Sequence, residues 1–169
     1  TMYARLGGFD GIDFNNYEAT ILNPGNVDAV ATQMVWIARE LKSLYGSDFA
    51  ITSPPQPNSP EQQKLMAEMA KAGVLDYAGP QFYDWSGFNE PGYIKTRMDT
   101  WMQVLGDPKK AVVGLSGNYS NGPSMSDCLR EWDAIKAAYP DIRGMFCWSA
   151  QTQLAGGNNW GTRMKARLG

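Results

Sequence analysis

The feature that most limits what this chain can fold into is an alternation: short apolar runs of strand length, each followed by a longer stretch of helical periodicity. The runs are 8–14, 49–53 ("FAITS"), 75–84 ("LDYAGPQFYD"), 111–117 ("AVVGLSG") and 142–149 ("IRGMFCWS"). After the first run, Val27, Val30, Met34, Ile37, Leu41 and Leu44 recur at helical spacing over 27–45. Ser59-Pro60-Glu61-Gln62 opens the next helix, with serine as N-cap, proline at the first helical position and glutamine closing a capping box. That helix runs to Ala72, and Gly73 stops it. Ile94, Met98, Trp101 and Leu105 mark a helix over 93–105, and Leu129, Trp132 and Ile135 one over about 124–138. Residues 158–168 read as a last short helix, and the opening "TMYARLGG" as the final turns of another, closed by glycine. Trp36, Trp101 and Trp132 lie on helices at core spacing and are assigned to the core.

Strands that alternate with helices mean an α/β fold with a parallel sheet and helical crossovers. Polar, glycine- and proline-rich residues fall after the strands: Asn15 to Glu18, Ser53 to Gln56, Gln81 to Trp85, Ser116 to Tyr119 and Trp148 to Gln153. The turns before the strands are terse. In parallel α/β folds function sits at the C-terminal strand ends. An open doubly wound sheet concentrates its polar groups at one switch point, whereas here every strand loads that edge. The pattern predicts a (β/α)8 TIM barrel. Such a barrel needs about 250 residues, so a chain of 169 residues is expected to be the C-terminal portion of one catalytic domain, about strands 4–8. The remaining N-terminal half of the barrel is then its first partner. A five-stranded arc alone has two raw strand edges and is expected to aggregate or stay molten.

Composition removes several function classes. The net charge is −2 and Lys and Arg do not cluster, which argues against nucleic acid and anionic membrane as partners. No run approaches transmembrane length, and no signal peptide opens the chain. With no histidine, His-based triads and the commonest metal ligand are gone. Neither of the two cysteines, Cys128 and Cys147, sits at metal-ligand spacing; they are free thiols or, in a secreted protein, a disulfide. No metal and no cofactor is expected. Asn118-Tyr119-Ser120 is an N-glycosylation sequon.

The first strand runs into "GFDGIDFNNYEA", where Asp13, Asn15, Asn16 and Glu18 crowd together. Such residues after a strand are either turn chemistry or an active site. With regular alternation Asp13, Asn15 and Tyr17 share one face. A β-bulge at Asn15-Asn16 would turn Glu18 onto the face of Asp13.

"FDGIDFNNYE" resembles the signature of glycoside hydrolase family 18, the chitinase family: Asp-Gly-x-Asp-x-Asp-x-Glu on the fourth barrel strand. Asp10, Gly11 and Asp13 match as written, and "YE" matches the variant with tyrosine before the catalytic glutamate. "ITSPPQP", "GPQFYD", "VVGLSGN" and "GMFCWSAQ" resemble the fifth to eighth strand regions of hevamine-like members, in the right order. The resemblance implies a secreted hydrolase of β-1,4-linked N-acetylglucosamine polymers or N-glycan cores. In this family the substrate's 2-acetamido group is the nucleophile. It further implies Glu18 as general acid, Asp13 as a supporting carboxylate, Tyr83 as the acetamido partner and Trp148 as the sugar platform. Gln81, Asp84, Gln56 and Asp10 would line the pocket. Trp85 and Trp160 are weaker candidates, each read equally as a further stacking face or as core. The chain departs from the signature at Asn15-Asn16, two residues where the family has one aspartate. An amide accepts a hydrogen bond but supplies no negative charge against a developing cation. A slower enzyme is therefore expected, or a chitinase-like lectin that keeps the groove and has lost the chemistry.

Overall fold

The strands pair in the order in which the sequence makes them. The structure, a computed structural model, describes residues 8–15, 21–83, 87–117, 122–155 and 159–168. Its elements are β1 (Gly11–Asp13), α1 (Val27–Tyr45), β2 (Ala50–Ser53), α2 (Pro60–Lys71), β3 (Tyr77–Ala78), β4 (Gln81–Phe82), α3 (Tyr93–Leu105), β5 (Val112–Leu115), α4 (Met125–Ala138), β6 (Gly144–Cys147), α5 (Ala150–Ala155) and α6 (Trp160–Leu168). They form two three-stranded parallel sheets, β1-β2-β3 and β4-β5-β6. Among the described residues neither sheet closes on itself.

The predicted third strand is thus two short ones, parted at Gly79-Pro80. Proline has no N–H to give to a ladder, which breaks the regular pattern there. The neighbouring bonds still carry the row across the break. Gly79 N–H donates to Ser53 O at 2.8 Å, Gln81 N–H to Pro55 O at 3.0 Å and Gly114 N–H to Pro80 O at 3.0 Å. A parallel bridge between Ala78 and Ala111 joins the two sheets. At the other end of the row Gly11 is required by close approach, because a Cβ there would lie 2.4 Å from Ala50 O.

Alternation along the strands gives the sheets two unlike faces. Ile51, Ala78, Phe82, Val113 and Leu115 belong to the core shared with the helices, and Met145 and Cys147 pack against it. Tyr77, Gly79, Val112, Gly144 and Phe146 face a cavity instead. Successive helices pack on one another, α1 on α2, α2 on α3 and α3 on α4, and α6 closes on α4.

Within the helices the sequence pattern needs three corrections. First, the buried stripe of α1 is Val27, Ala31, Met34 and Ala38. Leu44 lies beyond the end of this stripe and is exposed, and Trp36, two residues from Met34 and on the opposite side, is 58% exposed rather than core. Trp101 and Trp132 are core as expected, and their indole N–H groups reach Pro57 O at 3.2 Å and Arg167 O at 3.3 Å. Second, Ser59 does cap α2, accepting from Gln62 N–H at 3.2 Å. The Gln62 side chain, however, accepts from Gln56 N–H instead of closing a capping box. Third, α5 was not expected, and 118–121 and 156–158 fall outside the described residues, with the sequon among them. Residues 1–7, read as a helix end, also lie outside.

α3 has no local cap, because its N-cap is Gly92. Glu131 of α4, only 1% exposed, supplies one: its carboxylate accepts from Gly92 N–H at 2.7 Å and Lys95 N–H at 3.0 Å. A buried carboxylate at a helix N-terminus meets both the free N–H groups and the positive end of the dipole. Among the described residues no helix is long and apolar enough to cross a membrane.

Candidate active site

A cavity of about 600 Å³ runs along the concave face of the strand row. Asp13 and Asn15 enter it from the first strand, and Phe146 and Trp148 from the last. Strands from both ends of the row therefore border one space, so the row is curved around it.

Asp13 and Asn15 share the face that regular alternation gives them. Thr52 Oγ1 donates to Asp13 Oδ1 at 2.6 Å, which holds the carboxylate at the cavity wall. Phe14 between them turns to the core side, its N–H donating to Thr52 O and its carbonyl accepting from Ser53 Oγ, both at 2.8 Å. Gln81 lies beside this end of β1. Its Nε2 donates to Asn15 Oδ1 at 3.3 Å and to Pro54 O. Part of the acceptor capacity of Asn15 is thereby used, while its own amide N–H₂ has no acceptor among the described residues.

The opposite wall is aromatic. Tyr83, 8% exposed, lies parallel to Trp148 with ring centroids 6.1 Å apart and planes 9° from parallel. Phe146 meets Tyr83 edge-on at 6.2 Å. Trp148 is 45% exposed and lines the cavity, and its backbone N–H donates to Leu115 O at 3.0 Å. The Phe146 ring lies over Gly79 and Gly114, where a Cβ would come within 2.7 and 2.5 Å of it. Those two glycines make room for the aromatic floor. At the far end Arg143 stacks over the Tyr77 ring at 4.9 Å.

The structure brings Asp13, Asn15, Tyr83 and Trp148 together, with Gln81 bonded to one of them. It does not bring Gln56 or Asp10 there. Gln56 borders a separate cavity of about 200 Å³ with Asn58 and Phe88. Its chain turns away because Gln62 holds its backbone N–H. Asp10 is exposed, and its carbonyl accepts from Ala50 N–H at 2.8 Å in the sheet. Trp160 is buried in the core and offers no stacking face. Glu18, Asn16, Tyr17, Asp84 and Trp85 lie outside the described residues, and with them the expected bulge. Thr52 was missed by the sequence reading, although a hydroxyl at the end of "FAITS" was the available signal.

Cys128 and Cys147 are free thiols. Burial pushes the Cys128 thiol up to about 12, with Asp127 and Cys147 adding to the shift, and burial pushes Cys147 to about 11. Neither is a thiolate nucleophile at neutral pH. Among the described residues no group of three His, Cys, Asp or Glu side chains could hold a metal ion. What remains is a groove with a flat apolar face on one side and a carboxylate and an amide on the other. That combination suits a pyranose, whose C–H faces stack while its edges hydrogen-bond.

No protein-family model matches the chain, and no curated protein matches its sequence.

Proposed function

We propose that this chain is the C-terminal portion of a (β/α)8-barrel glycoside hydrolase of the family 18 type, secreted and acting on β-1,4-linked N-acetylglucosamine polymers. The observation that carries this reading is the single cavity where Asp13 and Asn15 of the first strand meet Tyr83 and Trp148. Three features support the barrel. The strands run in sequence order, without the reversal of an open doubly wound sheet. One face packs on helices and the other borders a cavity, whereas open parallel sheets are covered on both. Both ends of the row border the same space. With β3 and β4 taken as one interrupted strand, the row has five positions, and about three further βα units would complete eight strands by pairing with the edges of β1 and β6.

In this reading Glu18 protonates the glycosidic oxygen as the substrate's acetamido oxygen attacks the anomeric carbon. The bond to the leaving sugar breaks and an oxazolinium forms. Water then attacks the anomeric carbon from the other face, giving its proton to the Glu18 carboxylate; the bond from the anomeric carbon to the acetamido oxygen breaks, the acetamido group is restored and configuration is retained. The Tyr83 hydroxyl hydrogen-bonds the acetamido oxygen, Trp148 bears the sugar, and Asp13, held by Thr52, supplies negative charge. Because Asn15 supplies none, turnover is slower than a motif aspartate would allow.

Asn15 at the cavity wall also favours a second reading, a chitinase-like lectin for chitooligosaccharides or N-glycans. Turnover of a fluorogenic chitotriose by the full-length protein and by its Glu18→Gln variant decides between the two. Turnover abolished by Glu18→Gln supports the hydrolase. No turnover in either, with chitotriose bound, supports the lectin. Neither turnover nor binding overturns both.

A further inference from the structure

We propose that Gln153 is the positioning residue of the Trp148 shelf, a proposal that rests on the reading of Trp148 as the sugar platform. The segment that carries Trp148 is tied to the end of β5 at two points. Trp148 N–H donates to Leu115 O at 3.0 Å, and the Gln153 side chain donates from Nε2 to Gly117 O at 3.0 Å. Within the segment Gln153 N–H donates to Ser149 O at 3.1 Å, so the side-chain tie is passed through α5 to the residue beside the indole.

Gln153 is 4% exposed, and its Oε1 has no partner among the described residues, nor has Ser116 Oγ on the adjoining strand end. An apolar side chain of similar volume would bury at this position without a stranded acceptor. The amide therefore does not serve packing. β5 and β6 are already in register up to Leu115 and Cys147, so the Gln153 bond holds the segment that follows β6 against the end of β5. In the proposal this tie holds the indole parallel to Tyr83, with ring centroids 6.1 Å apart.

The test uses the protein labelled with 5-fluorotryptophan, the Trp148 fluorine line being assigned with Trp148→Phe. Gln153→Met removes the bond and keeps the volume. The proposal expects the Trp148 line to shift or broaden while the Trp101 and Trp132 lines and the melting temperature hold. It also expects chitotriose to bind about fivefold more weakly, with no further loss when Gln153→Met is added to Trp148→Ala. An unmoved Trp148 line, or an equal loss with and without Trp148, overturns it. A line that moves in a protein that binds no chitotriose upholds the positioning role and overturns the functional reading instead.

Discussion

At the amino-terminal ends of the strands, polar groups are spent on one another. Lys42 Nζ reaches Ser47 O at 3.2 Å, Phe49 O at 2.9 Å and Asp76 Oδ2 at 2.8 Å, and that same carboxylate oxygen accepts from Ile51 N–H at 2.7 Å. Lys110 Nζ adds a bond to Leu75 O at 2.9 Å. At the carboxyl-terminal ends, Asp13 and Asn15 each keep polar capacity beyond their partners among the described residues, and an indole lies half open. One end locks the strands in register; the other holds unspent hydrogen-bonding capacity around a space. A parallel α/β fold whose helices cover one face separates stability from function in this way.

The strongest way to break the distinction is to disturb the middle of the row, where both ends fail together. In Gly114→Ala the new Cβ would sit 2.5 Å from Phe146 Cζ and 2.7 Å from Pro80 O, and the second is backbone that cannot give way. A loss of about 3 kcal/mol is expected, read from the urea midpoint, with chitotriose binding lost as well. Asp76→Ala sharpens the comparison. It strands Ile51 N–H and the Lys42 ammonium and costs about 2 kcal/mol, yet it leaves chitotriose affinity unchanged in the folded protein.

A smaller effect comes with acid. Burial pushes the Asp127 carboxyl up, but hydrogen bonds from Ser124 and Arg130 outweigh it and hold the group below its ordinary 3.8. Asp99 is also lowered: burial again opposes, and bonds from Lys95 and Tyr139 prevail. A lowered carboxyl stabilises fully above its unfolded value and stops doing so as pH falls through the folded one. The unfolding midpoint should therefore drop as pH falls below about 4, and Asp127→Asn should flatten that drop. Smallest of all, Cys128 and Cys147 should resist a thiol-disulfide reagent at pH 7 in the native protein and react once urea unfolds it. Rapid reaction of the native protein would show that the carboxyl-terminal ends are not packed as described.

Periodicity carried most of the helices and strands and their order because large side chains at helical spacing and short apolar runs are what it measures. The bounds of α1 and α3 fall where Val27 to Tyr45 and Tyr93 to Leu105 put them. The misses share a cause, namely interactions that no local window contains. Gln62 looked like a capping residue because Ser59 is three residues away, but Gln56 offered it a better partner. The cap of α3 comes from Glu131, which lies on another helix. The break at Gly79-Pro80 was visible in the letters but was absorbed into one apolar run. At the site, strand alternation placed Asp13 and Asn15 on one face, whereas it could not say that Gln56 turns off toward its own cavity.

The central claim, that the open end of the strand row binds an N-acetylglucosamine oligomer on the Trp148 shelf, is tested most directly by calorimetric titration of chitotriose into wild-type protein and Trp148→Ala. The account predicts saturable binding by the wild type and at least about tenfold weaker binding by the variant, whose lost side chain is half exposed in the wild type. Equal affinity in the two proteins, or no binding by the wild type, would contradict it.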